Sequence, residues 1–353
     1  MVQSNLGMYR YFATRHPHIH PAVARAIAIR AIVKLALAAA LASAGRHNAT
    51  VAADNRAQGD GDLRTGDDPQ VELSIVIPSH DAARQLPSQL DSLAVQESDA
   101  CWEVVVSDNG STDATRDVAL GFTDRLDIRV VDSSDQPGRA FACNEGARAA
   151  RCQSVCFLDA DDEVAPGYVQ AMVEALRVHP FVAARIDVGL NTGWVARTRD
   201  PFQQEGLLTV FDYLPFGLGC TLGVHREVFD LVGGFSSDIP FDEDVDFCWR
   251  VQQAGVPMAF VPEAVVRYRF RDSLWGLFSQ TVRYGAGQVA LYRRHRSRGM
   301  PPRTRQAFRF DVSVRVKGLL RVRDKGDLAR WLHETGYMVG RMVGCVRWRT
   351  LYL

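Results

Sequence analysis

The 353-residue chain contains no apolar run of 18 residues, so no segment has the length that a membrane-spanning helix requires. No two of its seven cysteines (Cys101, Cys143, Cys152, Cys156, Cys220, Cys248 and Cys345) are spaced as C-x-x-C, which removes the commonest zinc and redox arrangements. The odd, scattered set reads as reduced thiols packed like small apolar side chains, and it points to a cytoplasmic protein. No G-x-G-x-x-G follows the first candidate strand, which argues against a nicotinamide-binding enzyme. Net charge is absent as well, because 41 Lys and Arg balance 41 Asp and Glu.

That balance hides a segregation. Residues 1–47 hold six Lys and Arg and no acid, while residues 293–353 hold sixteen against four acids. The ends are therefore +6 and +12, which leaves −18 for the middle. Basic ends suit an anionic surface, and membrane headgroups fit better than nucleic acid, since no aromatic stacking platform accompanies them. Residues 22–44 read as an Ala-rich helix carrying Arg25, Arg30 and Lys34, with only ten uncharged residues in its longest stretch. An interfacial or accessory helix is expected there rather than a secretory leader. Residues 48–70, rich in Gly, Asp and Asn, read as a flexible linker.

From Val71 onward the pattern alternates. ELSIVIPS (72–79) is a continuous apolar strand of the kind buried on both faces of a parallel sheet. A helix over 84–95, a strand from 102, a helix capped by Ser111 or Thr112 and a strand over 128–134 follow. A small-residue helix over 138–151 then precedes a fourth strand over 154–162. This βαβαβαβ order predicts an α/β fold with an open, mostly parallel, doubly wound sheet. Further on, PFGLGCTLGVHREVF (215–229) passes from an extended segment into a helix, and residues 240–255 form an amphipathic helix. Two short strands (258–262 and 264–270) lead into basic helices over 273–296 and about 303–345.

In open sheets of this kind ligands meet the carboxyl ends of the strands. Polar groups collect there: Pro78-Ser79-His80-Asp81, Ser107-Asp108-Asn109-Gly110-Ser111 and Asp159-Ala160-Asp161-Asp162. Four acids at one strand tip repel each other, and a hard divalent cation, Mg²⁺ or Mn²⁺, bound by Asp159 and Asp161 against a diphosphate would cancel that repulsion. A second acidic group, Asp242, Glu243, Asp244 and Asp246, opens a helix. The helix dipole favours acids there, with Asp242 as a candidate N-cap; alternatively, one carboxylate serves as general base for a hydroxyl nucleophile.

The stretches IVIPSHDAARQLPSQLDSL, VVVSDNGSTDATRDVA, FLDADDEVAPGYV and FDEDVDFCWR, in this order and spacing, resemble family 2 glycosyltransferases, inverting enzymes with a GT-A fold. The likeness covers about residues 71–272 and implies a glycosyltransferase domain there, flanked by the basic regions 1–47 and 273–353. It implies that Pro78, His80 and Asp81 flank the base and ribose of a nucleotide-sugar donor, that Asp108 bonds the base, and that Arg139 and Asn144 border the nucleotide. It makes Asp159 and Asp161 the DxD pair, Asp244 the catalytic base with Glu243 beside it, and Gly219-Cys220-Thr221 the acceptor-side loop. Many relatives carry a metal-binding His after the acidic helix, where this chain has Arg267, Tyr268, Arg269 and Arg271; an Arg such as Arg271 can neutralise the pyrophosphate directly. QTVRY (280–284) is similar to the QxxRW signature of processive synthases, with Arg283 as a pyrophosphate contact, although the membrane spans of those enzymes are lacking.

The expected reaction moves a sugar from a nucleotide-diphosphate donor, UDP- or dTDP-linked by preference, to a hydroxyl on a cell-surface glycan, lipid or protein. A cytoplasmic location, in contact with the anionic inner face of the membrane, follows from the donor and the basic ends. The competing readings are a nucleotidyltransferase, disfavoured because SHDAARQL offers only one Arg, and a catalytically weak glycan-binding or membrane scaffold.

Overall fold

The computed structural model describes residues 72–239 and 241–353, so the expectations for residues 1–47 and 48–70 lie outside the described residues. Strands β1 (Leu73–Ser79), β2 (Trp102–Asp108), β3 (Ile128–Asp132) and β4 (Ser154–Phe157) alternate with helices α1 (Leu86–Ala94), α2 (Thr115–Leu120) and α3 (Arg139–Ala149). There follow β5 (Glu163–Val164), α4 (Tyr168–Val178), β6 (Phe181–Asp187), β7 (Leu222–His225), α5 (Arg226–Leu231), α6 (Glu243–Gln253) and β8 (Ala259–Arg267). Three helices, α7 (Leu274–His295), α8 (Arg305–Arg321) and α9 (Lys325–Trp348), close the chain.

The eight strands form one sheet in the order β3-β2-β1-β4-β7-β6-β8-β5. Pairs β1–β2, β1–β4, β2–β3 and β6–β8 are parallel, whereas β7 runs antiparallel to β4 and β6, and β5 to β8. The sheet is thus mixed, with its parallel half formed by the strands expected from the sequence. Alternate residues feed two cores, as the two-residue period of a strand demands. Leu73, Ile75 and Ile77 of β1 join the side chains of α1 and α4, while Val76, with Val105 and Phe157, meets α3, α5 and α6. The small residues of α3 let it lie close to the sheet: a Cβ at Gly146 would collide with Val76.

Several elements depart from expectation for local reasons. The fourth strand stops at Phe157; Leu158 donates to the Val76 carbonyl at 3.0 Å, and the chain then turns so that β5 can pair with β8. Asp159, Asp161 and Asp162 therefore stand on a turn between two strands. One strand, Ala259–Arg267, stands where two were expected over 258–262 and 264–270, with the register against β6 broken between Ala184 and Arg185, where Pro262 has no N–H to offer. Neither Ser111 nor Thr112 caps α2; Asp113 Oδ1 takes the Thr115 N–H at 3.0 Å instead. Helix α4 and strand β6 were not anticipated at all.

The C-terminal helices pack back against the domain. A Cβ at Gly340 of α9 would strike the Val282 carbonyl oxygen of α7, and one at Gly285 of α7 would strike the Tyr337 carbonyl oxygen. Backbone meets backbone along this seam, and glycine alone permits it. Gly340→Ala is accordingly expected to destabilise the protein by about 1–3 kcal/mol through overpacking. That outcome runs against intrinsic helix propensity, which favours Ala by about 1 kcal/mol. Thermal and denaturant unfolding of G340A decide it, and an unchanged or raised Tm would show the seam to be loose.

Candidate active site

A cavity of about 920 Å³ opens at the carboxyl ends of the parallel strands. Asp159 and Asp161 line it from the turn after β4, Arg139 from the start of α3, Gly219 and Cys220 from the loop before β7, and Asp242, Glu243 and Asp244 from the start of α6. Helices α7 and α9 supply the facing wall, including Arg283, Tyr284, His333 and Tyr337.

Arg139 is the electrostatic centre of this wall. Its Nε donates to Asp159 Oδ1 at 2.9 Å, and its guanidinium lies 3.5 Å from Glu243 Oε1. Gly219 passes so close that a Cβ there would come within 2.6 Å of the guanidinium. The same glycine donates its N–H to Asp244 Oδ2 at 2.8 Å, while Val245 N–H bonds Oδ1 at 2.8 Å. Asp244 is therefore aimed by two backbone donors. Burial raises its carboxyl above the usual range, against the pull of Arg139 and these two N–H groups. Burial likewise pushes Glu243 up to about 7, with Arg139 opposing and Asp244 adding repulsion.

The acids do not all serve one purpose. Asp242 occupies the N-cap position of α6 but makes no side-chain cap; its Oδ2 is buried without a partner, and burial raises its carboxyl strongly. Asp246 faces away from the cavity and accepts from His295 at 2.9 Å, Arg250 at 2.7 Å and Arg294 at 3.0 Å. It anchors α6 to α7.

At the other cluster, burial and repulsion from Asp159 raise Asp161, although Arg271 lies 3.2 Å from its Oδ2. Asp162 is buried; Oδ1 takes the Arg269 N–H at 2.9 Å and Oδ2 has no partner. Ligand atoms of Asp159, Asp162 and Cys220 lie within 4.8 Å of one another. Burial keeps the Cys220 thiol protonated, so it is a poor cation ligand. Arg139 takes Oδ1 of Asp159 and Arg271 takes Oδ2 of Asp161, which leaves one oxygen on each carboxylate. Those oxygens are hard donors of the kind that fit Mg²⁺ or Mn²⁺.

The remaining expected site residues are placed as follows. His80 and Asp81 are exposed beside each other, Nε2 to Oδ2 3.8 Å, and Asp81 Oδ1 holds the Thr112 N–H at 2.7 Å. Asp108 is buried, and its carboxylate is taken by Ser111 N–H and Arg116, both at 3.1 Å. Pro78, His80, Asp81 and Asp108 do not line the cavity. Their loop reaches it through Asn109, which bonds Gln136 O at 2.8 Å and Gly138 N at 2.7 Å. Thr221 is likewise no part of the cavity wall: it is buried, bonding Leu218 O at 2.7 Å and Gln203 at 2.8 Å, and so braces the loop that carries Cys220. Asn144 pins the backbone of Phe235 at 2.9 Å instead of bordering the cavity. Arg271 and Arg283 do line the cavity, the latter stacked 4.7 Å from the centre of the Phe241 ring. Arg199, His333 and Arg341 also line it and were not anticipated; their only sequence signal is basic character far along the chain.

With this geometry established, comparison with known proteins is direct. Residues 74–233 match the model of glycosyl transferase family 2, and residues 154–319 match that of glycosyl transferase family group 2. Residues 74–233 thus carry a glycosyl transferase family 2 domain. Among curated relatives, validoxylamine A glucosyltransferase of Streptomyces hygroscopicus subsp. jinggangensis is 33% identical over 227 residues, covering 54% of this chain and 54% of that protein. Pre-mycofactocin glycosyltransferase of Mycobacterium tuberculosis is 27% identical over 249 residues, covering 65% of this chain and 49% of that protein. The chain thus spans about half the length of the curated relatives it matches. A mannosyltransferase from Pyrobaculum calidifontis, solved with GDP-Man and Mn²⁺, matches in fold with a TM-score of 0.52, at 17% identity, over 94% of this chain and 87% of that one. The GT-A architecture expected from the sequence is the one found.

The Asp246 anchor generates a prediction. Removing the charge by Asp246→Asn leaves two guanidinium groups and His295 without their shared acceptor, so a loss of about 3–5 kcal/mol in unfolding free energy is expected. Urea unfolding measures it; a loss under about 1 kcal/mol would mean the cluster is solvated like a surface pair.

Proposed function

We propose that this domain transfers a sugar from a nucleotide-diphosphate donor, UDP- or dTDP-linked by preference, to an acceptor hydroxyl with inversion. The observation that carries the reading is Asp244: a carboxylate on the cavity wall, oriented by the N–H groups of Gly219 and Val245 and raised toward neutrality by burial. An acceptor hydroxyl ionises far above pH 7, so a base whose own affinity for protons has been raised is better matched to its task. As the acceptor oxygen bonds the anomeric carbon, its proton passes to Asp244 and the bond to the diphosphate oxygen breaks. The sugar is attacked opposite its leaving group, and no covalent enzyme intermediate is needed.

Arg271 and Arg283 supply positive charge for the departing diphosphate. Mg²⁺ or Mn²⁺, held by the remaining oxygens of Asp159 and Asp161, would add charge stabilisation of the leaving group. Glu243 keeps Arg139 in place next to the base and borders the acceptor side. His80 and Asp81, exposed beyond the cavity wall, are offered to the base and ribose of the nucleotide.

Transfer from a panel of nucleotide sugars tests this, with wild type compared against Asp244→Asn and Asp161→Ala. Asp244→Asn is expected to lower kcat by about 10²–10⁴ while donor binding is retained, and chelation of divalent metal is expected to lower turnover as Asp161→Ala does. Unchanged donor turnover in Asp244→Asn would return the domain to the scaffold reading. The pH profile of the same assay is an independent check. Both acids are raised, so protonation favours the fold and ionisation, as pH climbs, costs stability while creating the base. Activity should therefore fall as pH drops toward a midpoint raised above the ordinary carboxylate range, the apparent value belonging to the Glu243–Asp244 pair. A profile flat down to pH 5 would contradict the assignment.

A second proposal concerns location. Among the described residues no helix is long and apolar enough to cross a membrane. Helix α8 contributes no buried residue, and it exposes Phe310 and Val316 beside Arg309, Lys317 and Arg321. Apolar and cationic side chains on one exposed face suit an interface of anionic headgroups, so the domain rests there on a membrane surface. Co-sedimentation with vesicles containing phosphatidylglycerol is expected to be strong and to drop when Phe310→Ser, Val316→Ser and Lys317→Glu are combined. Equal binding to neutral vesicles, or no effect of the substitutions, would refute it.

A further inference from the structure

The cavity is not acidic throughout. At the helical wall, Arg303 from the segment before α8, Arg315 from α8 and Arg341 from α9 converge on one carboxylate, Asp311. Arg303 donates to Asp311 Oδ2 at 2.8 Å and Arg341 at 2.5 Å, while Arg315 stands 3.9 Å from Oδ1. Glu334 is 3.9 Å from Arg315, and Gln288 accepts from Arg341 at 3.2 Å. Three guanidinium groups thus face two carboxylates, and their donors outnumber the available acceptors. The Nε atoms of all three arginines are buried with no hydrogen-bond partner.

This arrangement is costly without a ligand. Arg341 is almost wholly buried, at 5% exposure. Burial pushes its guanidinium down to about 10, and repulsion from Arg303 acts in the same direction, outranking the attraction of Asp311. Buried donors without acceptors lose their hydration with nothing in return. An oxyanion restores both charge and acceptors, and arginine presents a planar fork that matches phosphate oxygens.

We propose that Arg303, Arg315 and Arg341 form an anion subsite at the helical end of the cavity, and that the acceptor is a phosphorylated molecule whose phosphate group is held there. The inference rests on the transferase reading for its use of the word acceptor, but the subsite itself is read independently of catalysis. The donor's diphosphate belongs with Arg271, which pairs with Asp161, and with Arg283 of α7, whereas the present cluster gathers about a different carboxylate, Asp311. Free phosphate and a phosphate ester share the recognised chemistry, and they differ in what they bring to the hydroxyl side of the cavity.

The test uses the full chain and calorimetric titration with inorganic phosphate and with glycerol 3-phosphate, each with and without saturating UDP and Mg²⁺. Phosphate is expected to bind in both conditions, with glycerol phosphate at least as tight. Arg315→Gln is expected to weaken phosphate about tenfold, the loss of one charge-assisted contact, with UDP affinity changed less than about twofold. Arg341→Gln should do the same if it folds; because Arg341 is buried, Arg303→Gln with Arg315→Gln is the companion variant, and unfolding curves confirm that each variant is folded. Phosphate binding that is absent, unaffected by Arg315→Gln and by the paired variant, or abolished by UDP overturns the proposal, the last because it would assign the signal to the donor's diphosphate site. A protein that binds phosphate but no nucleotide would leave the subsite standing and remove the donor reading, so the two failures are distinct.

Discussion

The whole site turns on one partly buried cation among acids. Arg139 faces Asp159 from the turn after β4 and Glu243 from the start of α6, with Asp244 next to it. Removing the guanidinium would leave these carboxylates to repel one another in a partly desolvated site. The guanidinium is therefore the point on which α3, the turn after β4 and the start of α6 are aligned. Its position also bears on the residue above it: a side chain at 219 would have to displace the guanidinium, and that glycine's N–H is one of the two that aim Asp244. Placement of the Asp244 carboxylate follows from placement of the cation.

The acid-rich turn after β4 is thereby explained in part without any metal. Arg139 holds Asp159, Arg271 holds Asp161, and the Arg269 backbone holds Asp162. Of these, Arg269 and Arg271 stand in the stretch after the acidic helix where the family resemblance implied a histidine. Each takes one carboxylate oxygen and leaves another, so the turn is neutralised enough to fold while retaining donors for a cation.

Legibility from sequence followed the range of the interactions. Strands β1 to β4 were readable because a strand buried on both faces must be apolar throughout, and the polar residues at their tips had to be where chains leave the sheet. Asp159 and Asp161 were readable for the same reason, whereas Glu243 and Asp244, at a helix start where the dipole alone favours acids, were singled out only by the family resemblance. Strand β6 was not: FVAARID carries Arg185 in its middle, whose side chain escapes to the Pro262 carbonyl, and short apolar runs do not distinguish strand from helix. Asp242 and Asp246 could not be separated from Asp244 by spacing, because what separates them is His295, 49 residues further on. Nor could the burial of Asp108 be read, since Arg116 covers it from the next helix.

The largest gap concerns the C-terminal helices, which read as a basic extension and proved to be a wall of the cavity. Two features bring them there. The glycine seam between α7 and α9 allows backbone to meet backbone, and Arg197–Asp324 at 2.9 Å and Arg330–Asp200 at 3.1 Å tie the start of α9 to the loop after β6. Held in this way, the helices turn an open sheet edge into a chamber with acids at the strand tips and arginines at the helical end. A chamber with opposite charge at its two ends orients whatever enters it. In the reading proposed above, a ligand with negative charge at one end and a reactive hydroxyl at the other enters with the hydroxyl toward Asp244, and the helices then set its orientation as well as walling the site.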